Sequence, residues 1–498
     1  MKLEKNHVDQ ITIAFNQMQS REELLHLLNI AKPFIYGDKA VRFQLKQLTF
    51  YTFQENTKKA YKEFQVKKKS GGYRTIYAPQ KGLKALQKTL NLVLQCVFEP
   101  HKAAMGFVKG KSIVDNAKIH QGNNYVYNID LKDFFLSIDQ ARVWSCLKLK
   151  PFNLVDTVVA SDGNDSRNLN TGIRRFKTEF KEQIFYKIQD NAVEFIDDNN
   201  GNYSRYKKRL TSQIIRPESQ TLKNILDFEE HGDKLLFEDA KKYILTSENI
   251  EQLTRLISSR KSLANIITAL CCVEMDVERK NESGEWEVVK RKVIPQGAPT
   301  SPVLTNVVCQ RLDYLLSAVA KRFGLKYSRY VDDITFSSMH NVYQENSEFL
   351  VELQRIIANQ GFHIKESKTR LQKHGFRQEV TGLVINEKAN VQKRYIKQLR
   401  MWLYYWEKYG YERANHMFIN DYIADKGHVK MSKPNMINVI GGKLDYLKMV
   451  KGEENTLYMN LKKRYEKLIS NFNPIIQVID LWEKEGIEVA MNKFYENK

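Results

Sequence analysis

Apolar residues recur at helical spacing in three parts of the chain. A capping-box sequence at residues 20–23 precedes a leucine-rich run within the first 38 residues. Apolar residues then recur every three or four positions from Leu83 to Val97. The same spacing follows Ser301-Pro302, a typical helix start, and continues to Val319. These segments predict helices with one core-facing side.

Two short extended runs flank the tetrapeptide Tyr330-Val331-Asp332-Asp333, which is predicted to be a hairpin tip presenting adjacent carboxylates. The tetrapeptide alone is a weak signal, because a solvated polar turn has the same composition. A third carboxylate, Asp130, ends another extended run that could lie beside the hairpin. Three carboxylates at one sheet edge would hold two Mg²⁺ ions, with Mn²⁺ as the alternative, for phosphoryl transfer.

A second hairpin is predicted from residues 64–66 and 73–77, which flank a loop of lysines and glycines. Standing alone, such a loop is most often a solvated basic turn. The functional interpretation is a flexible clamp for a triphosphate, in which Lys68 and Arg74 donate to phosphate oxygens.

Other candidate nucleotide contacts lie near the carboxylates in sequence. Phe135 is either a core aromatic or a side chain beneath the sugar of an incoming nucleotide, where it would exclude a 2′-hydroxyl. In the loop 294–302, Gly297 permits close approach to a base pair, and Gln296 can donate to a phosphate or a sugar. Lys368 is a candidate phosphate-facing lysine.

Charge makes nucleic acid the expected partner. The 498 residues carry a formal charge of +21, and 42% of them are hydrophobic, which excludes a disordered protein and allows about three packed units. Five cysteines without CxxC spacing are typical of reduced core residues in a cytoplasmic protein. No export signal or membrane-length apolar run is found, so no membrane partner is predicted.

Taken in order, these motifs resemble those of bacterial retron-type reverse transcriptases. The resemblance rests on residues 128–135, 295–302, 330–333 and 361–369, and it covers roughly residues 30–150 and 263–470. Two further features resemble retron marks, and they would be RNA-binding residues or signatures of the family. They are Asn116 with His120, and Val380 with Thr381 and Gly382.

The resemblance implies an α+β right-hand polymerase fold. An N-terminal helical segment at 1–38 would precede fingers at 39–120. The palm, with its antiparallel sheet, would comprise 121–150 and 263–389, and a helical thumb with a C-terminal extension would follow at 390–498. The resemblance also implies that Asp130, Asp332 and Asp333 hold the metal ions, that Phe135 gates the sugar, and that Gln296, Arg74 and Lys68 contact the nucleotide.

The implied activity is RNA-directed DNA polymerase. The chain would copy a structured non-coding RNA into DNA from deoxynucleoside triphosphates, often in anti-phage defence. Two alternatives stay open. One is protein-primed or weakly templated synthesis, for which Tyr495 on a frayed C-terminal tail is a candidate first nucleophile. The other is a non-catalytic RNA-binding scaffold, against which the intact carboxylates, Gln296 and Gly297 argue.

The interval from Asp130 to Gln296 is several times longer than the few dozen residues usual in that family. Residues 151–262 are therefore predicted to be a large, mainly helical insertion. The insertion would bind RNA, mediate homo-oligomerisation or contact an effector or toxin protein. Residues 197–201 within it are interpreted as a plain turn.

Overall fold

A computed structural model describes residues 3–67, 71–155, 173–177, 183–189, 192–196, 260–281, 283–426, 434–472, 482 and 486–496. The helices are α1 (Lys5–Gln17), α2 (Arg21–Ala31), α3 (Pro33–Tyr36), α4 (Leu45–Thr52), α5 (Gln54–Lys59), α6 (Lys81–Val97), α7 (Ile113–Ile119), α8 (Gln140–Leu147), α9 (Arg260–Cys271), α10 (Ser301–Arg322), α11 (Glu348–Asn359), α12 (Lys393–Lys426), α13 (Met436–Lys451), α14 (Thr456–Phe472) and α15 (Ile487–Glu496). The strands are β1 (Tyr61–Lys67), β2 (Tyr73–Pro79), β3 (Tyr125–Asp130), β4 (Ile173–Lys177), β5 (Gln183–Gln189), β6 (Ala192–Ile196), β7 (Val273–Lys280), β8 (Trp286–Val293), β9 (Lys326–Tyr330), β10 (Asp333–Ser338), β11 (Arg370–Lys373), β12 (Glu379–Val380) and β13 (Leu383–Val384).

The chain forms two compact units. One comprises 1–62, 77–99 and 139–301, and the other comprises 63–76, 100–138 and 302–498. No helix among the described residues is both long enough and apolar enough to span a membrane.

The first unit is mainly helical where it is described, and the sequence predicts its helices well. The capping box is confirmed, because Ser20 Oγ accepts from the Glu23 amide at 3.2 Å and the Glu23 carboxylate accepts from the Ser20 amide at 3.2 Å. Helix α6 buries the predicted leucines and packs on α1 and α2. Val97, the last residue of the predicted stripe, is only half-buried.

A buried arginine joins distant segments of this unit. The Arg260 side chain donates to the carbonyl of Asn153 at 2.9 Å and to that of Phe152 at 3.3 Å. Its other hydrogen bonds reach the carbonyls at the end of α1, those of Phe15, Asn16 and Met18. Such carbonyls have no partner within their own helix, so the guanidinium satisfies them. Arg260 therefore belongs to the core of this unit, although it lies within the predicted insertion 151–262.

The described part of that insertion between residues 156 and 259 is a three-stranded antiparallel sheet in the order β4-β5-β6. The rest of the predicted mainly helical content falls on residues 156–259 that lie outside the described part of the chain. The turn interpreted at residues 197–201 also lies outside the described residues.

The second unit is built around a four-stranded antiparallel sheet in the order β11-β3-β10-β9. The hairpin β9–β10 forms as the sequence predicts, with Val331 and Asp332 between its strands, and β3 pairs with β10. Helices α12, α13 and α14 pack around buried aromatic residues, among them Trp402 and Trp406. The predicted hairpin β1–β2 is likewise confirmed.

Candidate active site

The carboxylates of the predicted site meet at one end of the sheet in the second unit. Register places Asp333 opposite Asp130 on the neighbouring antiparallel strand. The Leu131 amide donates to the Asp332 carbonyl at 3.2 Å, which ties the hairpin turn to the end of β3. The predicted neighbourhood of Asp130 and the hairpin is therefore confirmed at the level of the backbone.

Lys368 lies beside these carboxylates. Its Nζ donates to Asp130 Oδ1 at 2.6 Å. Among the described residues, no three His, Cys, Asp or Glu side chains gather closely enough to hold a metal ion as they stand. The backbones thus bring three carboxylates to one edge, while the Asp130 side chain is paired with an ammonium group.

Burial and the crowding of like charges raise the pKa values of two aspartates at this edge. Burial, followed by the charges of Asp332 and Asp130, raises the pKa of Asp333 to about 6. Burial and Asp130 also raise the pKa of Asp332. Asp333 has solvent-accessible surface, but it lies in a concave site where neighbouring atoms displace much of its hydration. Both shifts show that the folded chain disfavours negative charge here unless a cation compensates it.

The donors fit a hard divalent cation. Carboxylate oxygens are the ligands that Mg²⁺ prefers, and a dication would relieve the repulsion between the carboxylates. Asp130 and Asp333 also line a cleft of about 540 Å³ together with Lys368, Arg370 and Thr381. A phosphate-bearing ligand would therefore meet both the acidic edge and basic side chains.

Phe135 is half-buried. Its ring centroid lies 5.6 Å from that of Phe134 and 6.4 Å from that of Phe107. Phe134 is the core aromatic, since it is buried and stacks on Phe362. Phe135 is therefore not a fully buried core aromatic, and its role as a sugar gate stays a prediction.

The other predicted nucleotide contacts are placed less completely. Arg74 is exposed on β2, and its charge opposes the rise in the pKa of Asp332. Lys68 lies outside the described residues. In the first unit, the Gln296 carbonyl accepts from the Tyr77 amide at 2.9 Å, and Gly297 is exposed with φ 121°, a conformation that suits glycine. The nucleotide contacts of all these residues stay predictions.

Asn116 and His120 form a buried hydrogen-bond network with the hairpin. Ser328 Oγ donates to Asn116 Oδ1 at 2.6 Å, so its lone pairs accept from His120 Nε2 at 2.7 Å. His120 Nδ1 then accepts from Ser337 Oγ at 2.7 Å. Since Asn116 and His120 are 1% and 0% exposed, RNA contact by these side chains is the wrong interpretation. They brace β9 and β10 instead.

The buried imidazole makes stability depend on pH. Burial, followed by the charge of Lys326, lowers the pKa of His120 to about 3. Because the unfolded chain binds the proton more readily, His120 stabilises the fold fully above about pH 6.5, and this contribution is lost as pH falls toward 3. Because of this residue, we expect the free energy of unfolding to fall by about 1.4 kcal/mol for each pH unit in this range. In His120→Gln, the free energy of unfolding should fall less steeply from pH 7 to pH 4 than in the wild type, as measured by urea titration. Equal slopes in the two proteins would contradict this.

The remaining candidates lie at the cleft or apart from it. Val380 is buried, Thr381 has φ 49° and donates to the Ile113 carbonyl at 3.2 Å, and Gly382 is exposed at the cleft. Tyr495 lies in the last turn of α15. Its role in priming stays a prediction.

Sequence reasoning missed two features of the site. Arg370 begins β11, lines the cleft and opposes the rise in the pKa of Asp333. Phe107 packs beside Phe135 and is 42% exposed. Arg370 directly follows the 361–369 segment, so its nearness to that motif could have drawn attention to it. No motif named above lies next to Phe107.

Curated proteins are similar to this chain over most of its length. The retron Mx162 reverse transcriptase of Myxococcus xanthus is 26% identical over 381 residues, which cover 73% of this chain and 56% of that protein. The retron Ec86 reverse transcriptase of Escherichia coli is 25% identical over 394 residues, which cover 77% of this chain and 82% of that protein. The chain therefore spans little more than half the length of the first relative.

Among solved structures, a structure of telomerase from Candida albicans with a TWJ fragment of telomeric RNA aligns with 86% of this chain. The alignment covers 66% of the telomerase chain, with 11% sequence identity and a TM-score of 0.34. A likeness of this size supports no conclusion about this chain. The family model "Reverse transcriptase (RNA-dependent DNA polymerase)" matches residues 66–187 and 215–393. Because this match covers more than half of its residues, the chain belongs to the reverse transcriptase family.

Proposed function

We propose that the protein is an RNA-directed DNA polymerase that copies a structured non-coding RNA into DNA by two-metal nucleotidyl transfer. The observation that carries the proposal is the pairing of Asp130 with Asp333 across β3 and β10, with Asp332 next to it in the turn. The relatives that match most of this chain are retron reverse transcriptases, which supports a structured RNA as the template. A role in anti-phage defence is part of the proposal and rests on resemblance to that group.

In this proposal Asp130, Asp332 and Asp333 hold two Mg²⁺ ions. Bound there, the ions would activate the primer 3′-hydroxyl and stabilise the leaving pyrophosphate. The chain itself orients the triphosphate, because Arg74 and Arg370 place positive charge beside the carboxylates. Lys368 balances the charge of Asp130 and could donate to a phosphate oxygen in the same cleft.

Purification of the protein with its bound nucleic acid tests this proposal. The sample is supplied with radioactive deoxynucleotides, divided, digested with RNase or DNase, and the remaining nucleic acid is sequenced. We expect labelled DNA complementary to one co-purified RNA. Label that stays on the denatured protein after both digestions would instead indicate protein priming at a tyrosine such as Tyr495. Bound RNA with no incorporation, also on an artificial primer-template, would indicate the non-catalytic scaffold.

Phe135 provides a test of substrate selection. If its ring lies beneath the sugar, Phe135→Ala should admit ribonucleotides, because steric exclusion of the 2′-hydroxyl is lost. We expect the deoxy-to-ribo ratio of kcat/KM to fall by at least about 10-fold, which corresponds to roughly 1.4 kcal/mol. Phe376→Ala is the matched control, since Phe376 is 74% exposed. An unchanged ratio in Phe135→Ala would assign selectivity to other residues.

A further inference from the structure

The turn that carries the carboxylates contains a strained residue. Val331 has φ 64°, in the left-handed region that β-branched residues rarely enter. Such a conformation persists only when surrounding contacts impose it. The contacts with this turn come from residues outside the carboxylate cluster.

A buried ion pair holds the carbonyl of this residue. The Arg329 guanidinium makes two hydrogen bonds to the Asp313 carboxylate, at 2.8 and 2.7 Å, and donates to the Val331 carbonyl at 3.0 Å. Arg329 and Asp313 are 1% and 0% exposed, and Tyr327 Oη donates to the same carboxylate at 2.7 Å. Arg329 Nη2 also donates to Asn306 Oδ1 at 3.0 Å. Helix α10, which carries Asp313 and Asn306, thus fixes the turn through one planar, rigid side chain.

Gly106, in a different segment, packs closely against the same turn. A Cβ added to Gly106 would lie 2.6 Å from the Val331 amide nitrogen and 2.6 Å from its Cγ2. The Gly106 carbonyl accepts from Asn306 Nδ2 at 3.0 Å. Beside it, the Met105 amide donates to the Arg329 carbonyl at 2.8 Å. The segment at 103–106 therefore closes over the outer edge of β9 and over the turn.

We propose that Arg329, Asp313, Asn306 and Gly106 are positioning residues that hold Val331 in its strained conformation and so align Asp332 and Asp333 with Asp130. The inference rests on the proposed polymerase function. The hydrogen bond to the Val331 carbonyl fixes the orientation of the peptide unit that leads into Asp332. A misplacement of about 1 Å in a reacting assembly can cost roughly 10²-fold in rate.

The first test replaces the polar cluster with apolar side chains of similar size. The triple variant Tyr327→Phe, Asp313→Leu, Arg329→Met removes both charges and the hydroxyl together, so no buried charge is left unpaired. We expect the variant to fold with a lowered melting temperature, because the Val331 carbonyl and Asn306 Oδ1 lose their donor. The incorporation rate at saturating nucleotide should fall roughly 10²-fold with little change in KM. Hydrogen exchange at the amides of residues 330–333 should become faster.

Gly106→Ala tests the same alignment without touching a charge. The added methyl group must displace the turn or the 103–106 segment, so we expect the same loss of rate and the same faster exchange at residues 330–333. Gly442→Ala is the matched control, because Gly442 lies in α13 with open space around its Cα. That substitution should leave the melting temperature unchanged or raise it.

The outcomes separate this inference from the proposed function. If either folded variant shows wild-type rate and wild-type exchange at residues 330–333, the positioning role is wrong. If the triple variant does not fold, Gly106→Ala decides by the same two measurements. If the wild-type protein itself incorporates no nucleotide, the proposed function fails, and exchange at residues 330–333 still decides whether these residues hold the turn.

Discussion

Replacing Asp332 and Asp333 together by asparagine is expected to abolish nucleotide incorporation. Asparagine keeps the volume of each side chain but removes the charge that would hold the metal ions, and metal stabilisation of the transition state is worth several kcal/mol. We therefore expect the rate of primer extension in Mg²⁺ to fall at least about 10³-fold. RNA binding, measured by filter retention, should stay close to that of the wild type.

The same substitutions should stabilise the protein in metal-free buffer. The folded chain raises the pKa of Asp333 to about 6, so its ionised carboxylate destabilises the fold above that pH, and protonation removes the effect as pH falls toward the ordinary aspartate range. Asp333→Asn should raise the melting temperature at pH 8 and change it much less at pH 4. Asp276→Asn, at an exposed position on β7, is the matched control. Full polymerase activity in the double asparagine variant would refute the two-metal assignment.

Local pattern was sufficient to predict the framework of the site. Short extended runs around a polar turn predicted β9 and β10, and the run ending at Asp130 predicted β3, because alternation and turn chemistry are encoded within a few residues. Membership in the reverse transcriptase family confirms the α+β right-hand polymerase class. The division into fingers, palm, thumb and insertion stays a prediction.

Contacts between segments distant in sequence could not be predicted in this way. The pairing of Lys368 with Asp130 joins positions far apart in the chain, and a lysine near a predicted phosphate site carries no sign of that partner. Arg329 lies inside an extended run, where a charged side chain needs either a buried partner or an exposed face, and the sequence does not say which. Only the packing of α10 against β9 identifies the partner as Asp313.

The structure and the boundaries of the predicted insertion were also not fully predictable from local pattern. The sequence predicts a mainly helical segment, and its described part between 156 and 259 adds the sheet β4-β5-β6, which no local pattern had indicated. The family match also continues to residue 187 and resumes at 215, so only 188–214 lie outside it within this interval. The boundaries of an appended segment are therefore better taken from the buried contacts at its two ends.

Those contacts make excision of the segment a sharp experiment. Replacing residues 156–259 by a short glycine-serine linker keeps the buried Phe152, Leu154 and Arg260. We expect this variant to fold with a melting temperature close to that of the full chain and to extend an artificial primer-template. It should lose its native RNA, its oligomeric state or its effector contact, if residues 156–259 supply them. Loss of all polymerisation in the folded protein would mean that the segment completes the active site.

Excision of residues 151–262, the boundaries predicted from sequence, should behave differently. That deletion removes the Arg260 guanidinium and leaves the carbonyls of Phe15, Asn16 and Met18 without their donor. Each buried polar group left unpaired costs about 1–3 kcal/mol, and loss of a buried phenylalanine such as Phe152 costs about 3–5 kcal/mol. These losses together approach the whole stability of a typical domain, so the longer deletion should unfold the first unit. Equal melting temperatures for the two deletion variants, measured side by side by calorimetry, would show that Arg260 does not stabilise the first unit.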